Sequence, residues 1–334
     1  MKTAVVILNW NGIKYLQEYL PAVVEHTPED ASIYLADNGS TDESVAFVKD
    51  RYPRIQLILL DKNYLFAGGY NRALAQIEAD YYVLLNSDAE VTPNWLHAPI
   101  EAMEKDRTIA ATMPKILSYE EKEYYEYAGA SGGFIDKYGY PFCRGRILDA
   151  IEKDEGQYDQ PLEIFWASGA AFFVRADLYH KFGGFDEQFG AHMEEIDLCW
   201  RFKNQNYSIK IIPESKIYHL GGGTLPVNTP KKIFLNYRNN LFTLLKNLPR
   251  KTLFKTLFIR MILDGLSAGT YILQGKFKFV GAVIKAHCHF YKNFSAMYAK
   301  RSPNIPQKHP EIYPRSIIYR FFIKKERKWS SLTP

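Results

Sequence analysis

Acidic residues at three places in the sequence have neighbours that suit them to bind a ligand or to catalyse a reaction. Asp88 follows the apolar run Tyr81–Leu85 after two short polar residues, Asn86 and Ser87. A carboxylate just beyond a buried strand can hold a hard divalent cation, and such a cation bridges the phosphates of a nucleotide. The alternative is a turn in which Asn86 and Asp88 cap the next helix. Asp88 is therefore a candidate metal ligand.

Two adjacent carboxylates, Glu194 and Glu195, open a segment with helical spacing. Either can act as a general base toward an acceptor hydroxyl, because a base needs only hydrogen-bond reach and partial desolvation. Adjacent helical residues point in different directions, so we expect only one of the two to face the reacting centre. The alternative is an ordinary acidic first turn in which Asp197 pairs with Arg201.

A single histidine, His219, ends a short apolar segment directly before the glycine run Gly221–Gly223. Its neutral imidazole is suited to join Asp88 as a metal ligand. A lone histidine is more often a satisfied loop residue, so both interpretations stay open on the sequence alone.

Polar residues suited to hold a nucleotide follow the other apolar segments. Asp37 and Asn38 can hydrogen-bond a base and ribose, or else Ser40 caps the next helix. The glycine-containing stretch Asn63–Asn71 would bring a helix N-terminus close to phosphate oxygens. It lacks the full dinucleotide fingerprint and the phosphate-loop lysine, which disfavours a nicotinamide enzyme or a P-loop ATPase. The candidate donor-binding residues are Asn9, Asn11, Asp37, Asn38, Asn63, Gly68, Asn71, Asn86 and Ser87.

Strands and helices that must position these residues alternate along the first part of the chain. The predicted strands are Ala4–Leu8, Ser32–Ala36, Ile55–Leu60 and Tyr81–Leu85, and the predicted helices are Ile13–Glu25, Glu43–Tyr52 and Gly69–Ile77. This alternation predicts an α/β fold with a doubly wound, Rossmann-like, mostly parallel sheet. Ligands of such sheets bind beyond the carboxyl ends of the strands, which is where the polar candidates lie.

The remainder of the chain is less regular. Lys115–Glu163 shows no clear period, which predicts an irregular insertion serving as a functional loop or lid. Further elements are predicted as strands at Phe165–Arg175, Ile209–Ile212 and Ile217–His219, and as helices at Glu194–Lys203, Pro230–Leu248 and Leu253–Tyr298. With a boundary near Pro226, the chain divides into an α/β domain, 1–225, and a basic aromatic helical region, 226–334.

Composition and charge narrow the class of protein. Hydrophobic residues make up 47% and charged residues 24% of the 334 residues, as in a folded globular chain. The three Cys are widely separated, which argues against a disulfide framework or zinc site and fits a reducing cytosol. No apolar run reaches the roughly 18 residues of a spanning helix, since Lys255, Arg260 and Asp264 interrupt Leu253–Leu273.

The net charge of +5 is concentrated from Lys231 onward, which indicates an anionic partner for this end of the chain. A basic aromatic helix can lie in a membrane interface and approach anionic lipid. The alternatives are a helical subdomain packed on the core and a homodimer contact. No recognition helix or stacking signature supports a nucleic-acid partner.

Together the segments resemble the motifs of the family 2 glycosyltransferases, and more closely the bacterial rhamnosyltransferase-like branch. The matching segments, in order, are Val5–Gly12, Asp37–Asp42, Asn63–Asn71, Asn86–Asp88, Ser168–Ala170, Gly183–Glu187, Glu194–Leu198, His219 and Tyr237–Asn240. The resemblance implies a GT-A fold with a C-terminal helical extension, a dTDP- or UDP-linked sugar donor and inversion at the anomeric carbon. It also implies a divalent metal, magnesium or manganese.

The same resemblance implies roles for individual residues. Asp37 would contact the base, Asp88 and His219 would bind the metal, and Glu195 would be the base, with Glu194 second. Two departures are Asn86, where the family's metal motif more often begins with Asp, and the Glu-Glu pair in place of Glu-Asp.

The basic helical region, if it lies at a membrane, gives the expected setting for this reaction. The acceptor would be a glycan or lipid-linked glycan of cell-surface polysaccharide assembly, reached in the cytoplasm or on the cytoplasmic face of the inner membrane. The alternative is a nucleotidyltransferase, although Asn9–Gly12 offers no basic residue to hold a triphosphate before Lys14.

Overall fold

The first half of the central sheet contains four parallel strands and three helices in the predicted order. A computed structural model describes residues 1–221, 229–303, 305–306 and 309–332. The strands are β1 (Thr3–Asn9), β2 (Ala31–Asp37), β3 (Gln56–Leu59) and β4 (Tyr81–Asn86), and the helices are α1 (Ile13–His26), α2 (Ser44–Arg51) and α3 (Leu65–Leu74). β1 and β4 are continuous apolar runs because both of their faces are covered.

Helix α3 begins four residues before its predicted start, at Leu65 instead of Gly69. Asn63 Oδ1 accepts a hydrogen bond from the Leu65 amide at 2.7 Å, which starts the helix early. Gly68 therefore lies inside α3 and not in a loop before it, and α3 ends at Leu74 instead of the predicted Ile77. Phosphate binding by this stretch stays a prediction. A Cβ at Gly69 would lie 2.9 Å from Asn38 Nδ2, so the glycine permits close packing of α3 on the sheet edge.

The predicted irregular insertion is instead an ordered part of the fold. The elements after β4 are β5 (Ala89–Val91), α4 (His97–Lys105), β6 (Ile109–Ser118), β7 (Gly133–Asp136), β8 (Pro141–Cys143), β9 (Arg146–Ile147) and β10 (Ala150–Ile151). Strands β7 to β10 form a small second sheet. Lys115, 2% exposed, contacts Asp154 and Asp159 and ties the insertion to β6. Its strands are only two to four residues long, which is why no periodicity predicted them.

The central sheet is completed by antiparallel and parallel strands from the middle of the chain. These elements are β11 (Leu162–Glu163), β12 (Ala171–Arg175), α5 (Ala176–Lys181), α6 (Glu194–Lys203) and β13 (Ser208–His219). The strand predicted at Phe165–Arg175 thus begins only at Ala171. The order is β11-β13-β6-β12-β4-β1-β2-β3, with β5 paired to the end of β13. The two short strands predicted around Pro213 are one strand with a bulge between Ile212 and Lys216.

The C-terminal region is helical, as predicted, and returns to the small sheet, but the helix predicted at Leu253–Tyr298 is divided into three helices. It contains α7 (Pro230–Asn247), α8 (Arg250–Leu273), α9 (Phe277–Lys292), α10 (Phe294–Ala299), β14 (Ile312–Tyr313), α11 (Ile317–Phe322) and a 3-10 turn (Trp329–Ser331). β14 pairs with β7. One cluster of buried apolar residues extends from β1 through α7 to α11. The boundary near Pro226, with Gly222 and Gly223, lies outside the described residues.

Helix α8 departs from the prediction that no segment is apolar enough to span a membrane. Among the described residues it is the one helix whose length and composition meet that criterion. The interrupting residues Arg260 and Asp264 are buried against the protein and form an ion pair, with Arg260 Nε 2.9 Å from Asp264 Oδ1.

A buried charge network joins α7 to the α/β domain. Lys246 Nζ lies 2.8 Å from both Asp186 Oδ2 and Asp197 Oδ2. Asp197 also accepts hydrogen bonds from Arg201 Nε at 2.9 Å and from Asn247 Nδ2 at 2.8 Å. The predicted pairing of Asp197 with Arg201 is thus present as part of a larger network. The cations hold the pKa of Asp186 near 2 against the opposing effect of burial.

We expect Lys246→Met to destabilise the protein by about 3–5 kcal/mol, because it leaves two buried carboxylates without their shared cation. Lys300→Met is the matched control, since Lys300 also contacts Asp186 but its side chain is 39% exposed. The control should lose no more than about 1 kcal/mol. Urea unfolding measures the free energy of unfolding of both variants. Equal decreases would show that the network does not stabilise the packing of α7.

Candidate active site

The polar candidates meet at the carboxyl edge of the central sheet. The strand register places Asn9 beside Asp37, and Leu8 beside Asn86. The ends of β1, β2 and β4 therefore form one row, as the parallel alternation predicts. Ser87, half-buried, follows on the same edge and leads to Asp88.

Asp37 is held in a fixed orientation at the end of β2. The Asp37 side chain is 4% exposed, and its Oδ1 accepts a hydrogen bond from Asn9 Nδ2 at 3.0 Å. Its Oδ2 accepts from the Ser40 amide at 2.9 Å. Two donors use only part of the capacity of a carboxylate, so Asp37 keeps acceptor capacity for another group.

The loops beyond β1, β2 and β3 clamp one another through amide side chains. Asn11 Oδ1 accepts from the Thr41 amide at 2.7 Å. Asn38 Nδ2 donates to Asn63 Oδ1 at 3.2 Å, and Asn38 Oδ1 accepts from the Tyr64 amide at 2.9 Å. These side chains shape the walls of the edge, so their part in donor binding stays a prediction.

Asn71 and Gly68 face inward from α3. Asn71 Nδ2 donates to the Phe185 carbonyl at 2.8 Å, while Asn71 Oδ1 accepts from the Phe185 amide and the Tyr179 hydroxyl. Asn71 thus holds the Gly183–Phe185 turn that follows α5. Gly68 lies under Arg72, whose Nη1 would be 3.0 Å from a Cβ at that position.

The structure brings Asp88 and His219 together through the short strand β5. β5 follows Asp88 directly and pairs with the end of β13, with Ala89 opposite His219. His219 Nε2 lies 3.2 Å from Asp88 Oδ1 and 3.2 Å from Asn86 Nδ2. Both Asp88 and His219 are at least nine-tenths buried. These two residues are 131 positions apart in the chain, and the sheet alone makes them neighbours.

Glu126, which the sequence did not single out, faces the other nitrogen of His219. Its Oε2 lies 3.5 Å from His219 Nδ1, and Glu126 is buried. Burial opposes the charged imidazolium, yet Glu126 and Asp88 outweigh it and raise the pKa of His219 to about 10. The imidazole of His219 thus lies between two carboxylates, with Nε2 toward Asp88 and Nδ1 toward Glu126.

The donor set fits a divalent cation in part. A carboxylate oxygen and an imidazole nitrogen 3.2 Å apart match the roughly 3 Å between neighbouring ligand atoms on one small ion. Nδ1 of His219 has no hydrogen-bond partner within the described ranges. Those ranges contain no group of three His, Cys, Asp or Glu side chains able to hold a metal.

Glu194 and Glu195 open α6, whose bounds match the prediction. Burial and the neighbouring Glu195 raise the pKa of Glu194 well above its usual value. Burial also raises the pKa of Glu195, but the amides of Met193, Glu195 and Ile196 favour its ionised form and leave that pKa at about 7. Glu195 is less buried than Glu194 and is the better placed of the two to exchange a proton near neutral pH.

The turn before α6 is strained and is held by α7. His192 and Met193 have φ values of 68° and 73°, a conformation that side chains rarely adopt. Asn239 Nδ2 donates to the carbonyls of Ala191 at 2.9 Å and His192 at 2.7 Å. Consecutive strained residues need such support, and they are frequent at functional sites.

Lys232, on the first turn of α7, is a second group that the sequence did not single out. It is seven residues before Asn239 and therefore shares its face of the helix. Burial and, after it, the charge of Lys232 lower the pKa of His192 to about 4. Burial lowers the pKa of Lys232, and the charge of Glu126 opposes that shift. Neither Lys232 nor Glu126 stands in a recognisable motif, so only the fold could reveal them.

The mostly parallel sheet, the polar residues at its carboxyl edge and the C-terminal helices define a glycosyltransferase of the GT-A fold. Residues 4–182, more than half of the chain, match the family model described as Glycosyl transferase family 2. The chain belongs to this family, and the predicted resemblance is confirmed. A nucleotidyltransferase is correspondingly disfavoured.

Known proteins support the branch and the fold. The chain is 24% identical over 230 residues to N-acetylglucosaminyl-diphospho-decaprenol L-rhamnosyltransferase of Mycobacterium tuberculosis. The matched region covers 64% of this chain and 75% of the relative. S. aureus TarS 1–349 in complex with UDP-GlcNAc has a TM-score of 0.56 at 13% identity, covering 95% of this chain and 99% of TarS. Mannosyltransferase PcManGT from Pyrobaculum calidifontis, in complex with GDP-Man and Mn²⁺, has a TM-score of 0.54 at 12% identity, with 86% of each chain covered.

Proposed function

We propose that this family 2 glycosyltransferase moves a sugar from a dTDP- or UDP-linked donor to a hydroxyl of a lipid-linked glycan, with inversion. The observation that carries the proposal is the joining of Asp88 and His219 at the sheet edge that also bears Asp37. The relative whose name includes a diphospho-decaprenol acceptor and the fold neighbour bound to UDP-GlcNAc support this choice.

Residues at the ends of the strands each contact a different part of the donor. Asp37, held by Asn9 and Ser40, accepts hydrogen bonds from the base. Asn86 and Ser87 lie between that position and Asp88, where the ribose and diphosphate must pass. Asn11, Asn38 and Asn63 keep the surrounding loops in place, and we assign the amide of Asn71 to the turn after α5.

Asp88 and His219 would hold a magnesium or manganese ion, with Glu126 orienting the imidazole through its second nitrogen. When bound, the ion neutralises charge on the departing nucleoside diphosphate. With the ion in place His219 serves as a neutral ligand, so its proton must leave when the metal binds.

Glu195 is the proposed general base. In-line displacement requires a base on the face of the sugar opposite the leaving group. Glu195 has a pKa of about 7 and ionises in the working range of a base. Burial and the neighbouring Glu195 raise the pKa of Glu194 well above its usual value, which disfavours Glu194 in this role. Glu195 accepts the proton of the acceptor hydroxyl as the oxygen attacks the anomeric carbon.

Lys232 is proposed to contact the diphosphate from the α7 side. We expect Lys232→Met to weaken UDP affinity by about ten- to a hundredfold, because a charge-assisted contact to phosphate is lost. Lys231→Met is the matched control, since Lys231 is adjacent and exposed. Isothermal titration with UDP and Mn²⁺ compares the two variants. Equal affinities would remove Lys232 from the donor site.

The reaction is placed at the cytoplasmic face of the inner membrane, with the helices after α7 contributing a peripheral membrane contact. The name of the mycobacterial relative specifies a lipid-linked substrate, which supports this location. The three cysteines are free, with Cys143 and Cys199 buried and Cys288 exposed, which fits a reducing compartment.

Nucleotide binding can be tested without knowing the acceptor. We expect UDP or dTDP together with Mn²⁺ to raise the melting temperature, because a ligand that binds only the folded state stabilises it. The nucleotide alone should give a smaller rise. Stabilisation by nucleoside triphosphates and not by diphosphates would contradict a diphosphate-sugar donor.

A further inference from the structure

Large apolar side chains are exposed along one side of α8. Phe254, Phe258, Ile262 and Leu266 are spaced by four residues and are 50–67% exposed. Leu273 at the end of α8 and Phe277 at the start of α9 continue the set, at 89% and 69% exposed. We name these six side chains the apolar ridge. A contiguous exposed apolar surface of this kind marks an interaction site.

The opposite side of α8 is fixed to the protein. Its buried residues include Leu253, Leu257, Arg260 and Asp264. The Arg260 guanidinium lies 3.6 Å from the centre of the Tyr140 ring, and its Nη1 donates to Asn240 Oδ1 at 2.5 Å. The insertion and α7 therefore both hold this side. A helix so attached presents its ridge outward and cannot enter a bilayer end-on without breaking these contacts.

The surroundings of the ridge are basic. Residues 229–303 contain fourteen Lys and Arg but a single acidic residue, Asp264, which is buried. Lys251, Lys255, Lys276 and Lys278 are exposed beside ridge residues. Apolar side chains flanked only by cations complement an anionic lipid surface. Two copies of this face would bring like charges together, which disfavours a dimer formed through it.

We propose that the apolar ridge seats the protein on an anionic bilayer, with α8 lying in the plane of the interface. Phenylalanine, isoleucine and leucine side chains then enter the boundary of the acyl chains, while the flanking lysines meet the lipid phosphates. α7 packs against both α8 and α9 and also holds the turn before α6, so docking sets the active site at a fixed height above the membrane. This orientation suits an acceptor whose lipid tail stays in the bilayer.

Flotation with vesicles tests this surface on the full chain. Wild-type protein should float with phosphatidylcholine vesicles containing about one third phosphatidylglycerol, and less with phosphatidylcholine alone or at high salt. The double variant F254S/F258S should lower the partition coefficient about a hundredfold, roughly tenfold for each side chain removed. K251E/K255E should abolish the preference for anionic vesicles.

Two control variants test whether exposed apolar or charged side chains outside the apolar ridge also contribute to vesicle binding. Leu59→Ser removes an apolar side chain that is 62% exposed on the edge strand β3, and Lys49→Glu reverses an exposed charge on α2. Both should float as wild type does, and all variants should keep wild-type release of UDP from a nucleotide sugar. Equal flotation of ridge and control variants overturns the proposal. Dissociation of a dimer by F254S/F258S in sedimentation, without loss of flotation, would also overturn it.

Discussion

Glu195→Gln should lower the turnover number by about a hundred- to ten-thousandfold while leaving the affinity for the nucleotide donor nearly unchanged. The amide keeps the size of the side chain but cannot accept a proton from the acceptor hydroxyl. Asp37, Asp88 and His219, to which we assign donor and metal binding, lie outside α6. Steady-state kinetics with a saturating acceptor, together with titration of UDP, separates the two effects.

The pH dependence of the wild-type enzyme provides a second readout for Glu195. Only the ionised carboxylate acts as a base, so turnover should rise with pH through about 7, the pKa that burial gives this group. Glu195→Gln should remove this rising limb.

Glu194→Gln is the matched control for Glu195→Gln. Burial and Glu195 raise the pKa of Glu194 and so favour its neutral form, which glutamine resembles. This variant should keep the rising limb and stay within about tenfold of wild-type turnover. Weakened donor affinity with near-normal turnover in Glu195→Gln would refute the assignment. Loss of turnover in Glu194→Gln alone would assign the base to Glu194.

Asp88→Ala should lower Mn²⁺ affinity in the presence of UDP by at least about a hundredfold, since it removes the carboxylate of the proposed pair. His219 would lose one of the two carboxylates that raise its pKa. Electron paramagnetic resonance of free Mn²⁺ measures binding independently of activity.

Asp80→Ala is the control for this experiment, because Asp80 is exposed at the opposite end of β4. It should bind Mn²⁺ as wild type does, and thermal unfolding without metal checks that both variants are folded. Unchanged Mn²⁺ affinity in Asp88→Ala would show that Asp88 is not a ligand of the metal.

The sequence predicted the local elements well wherever one pattern governed them. The strands and helices from β1 to β4, apart from α3, end within one residue of their predicted bounds, because buried parallel strands are continuous apolar runs. The helix α6 was predicted from Glu194 to Lys203 without error. The start of α3 was missed because a side-chain hydrogen bond from Asn63 determines it.

The candidate site could be predicted only in part. Asp88 and Asp37 were found because strand ends are visible in the sequence, and the meeting of Asp88 with His219 depends on the three-residue strand β5. Glu126 lies in an insertion without periodicity, and the hydrogen bond of Asn239 that docks α7, the helix of Lys232, on the turn before α6 joins distant parts of the chain. Contacts made between distant elements leave no signal in residue spacing.

The central claim is that Asp88, His219 and Glu195 act on a nucleoside-diphosphate sugar. Release of nucleoside diphosphate from a panel of UDP-, dTDP- and GDP-linked sugars, with and without Mn²⁺, tests it most directly. We expect metal-dependent release of nucleoside diphosphate from at least one UDP- or dTDP-linked sugar, and we expect Asp88→Ala and Glu195→Gln each to abolish it. Release that needs no metal, or that survives both substitutions, would contradict it.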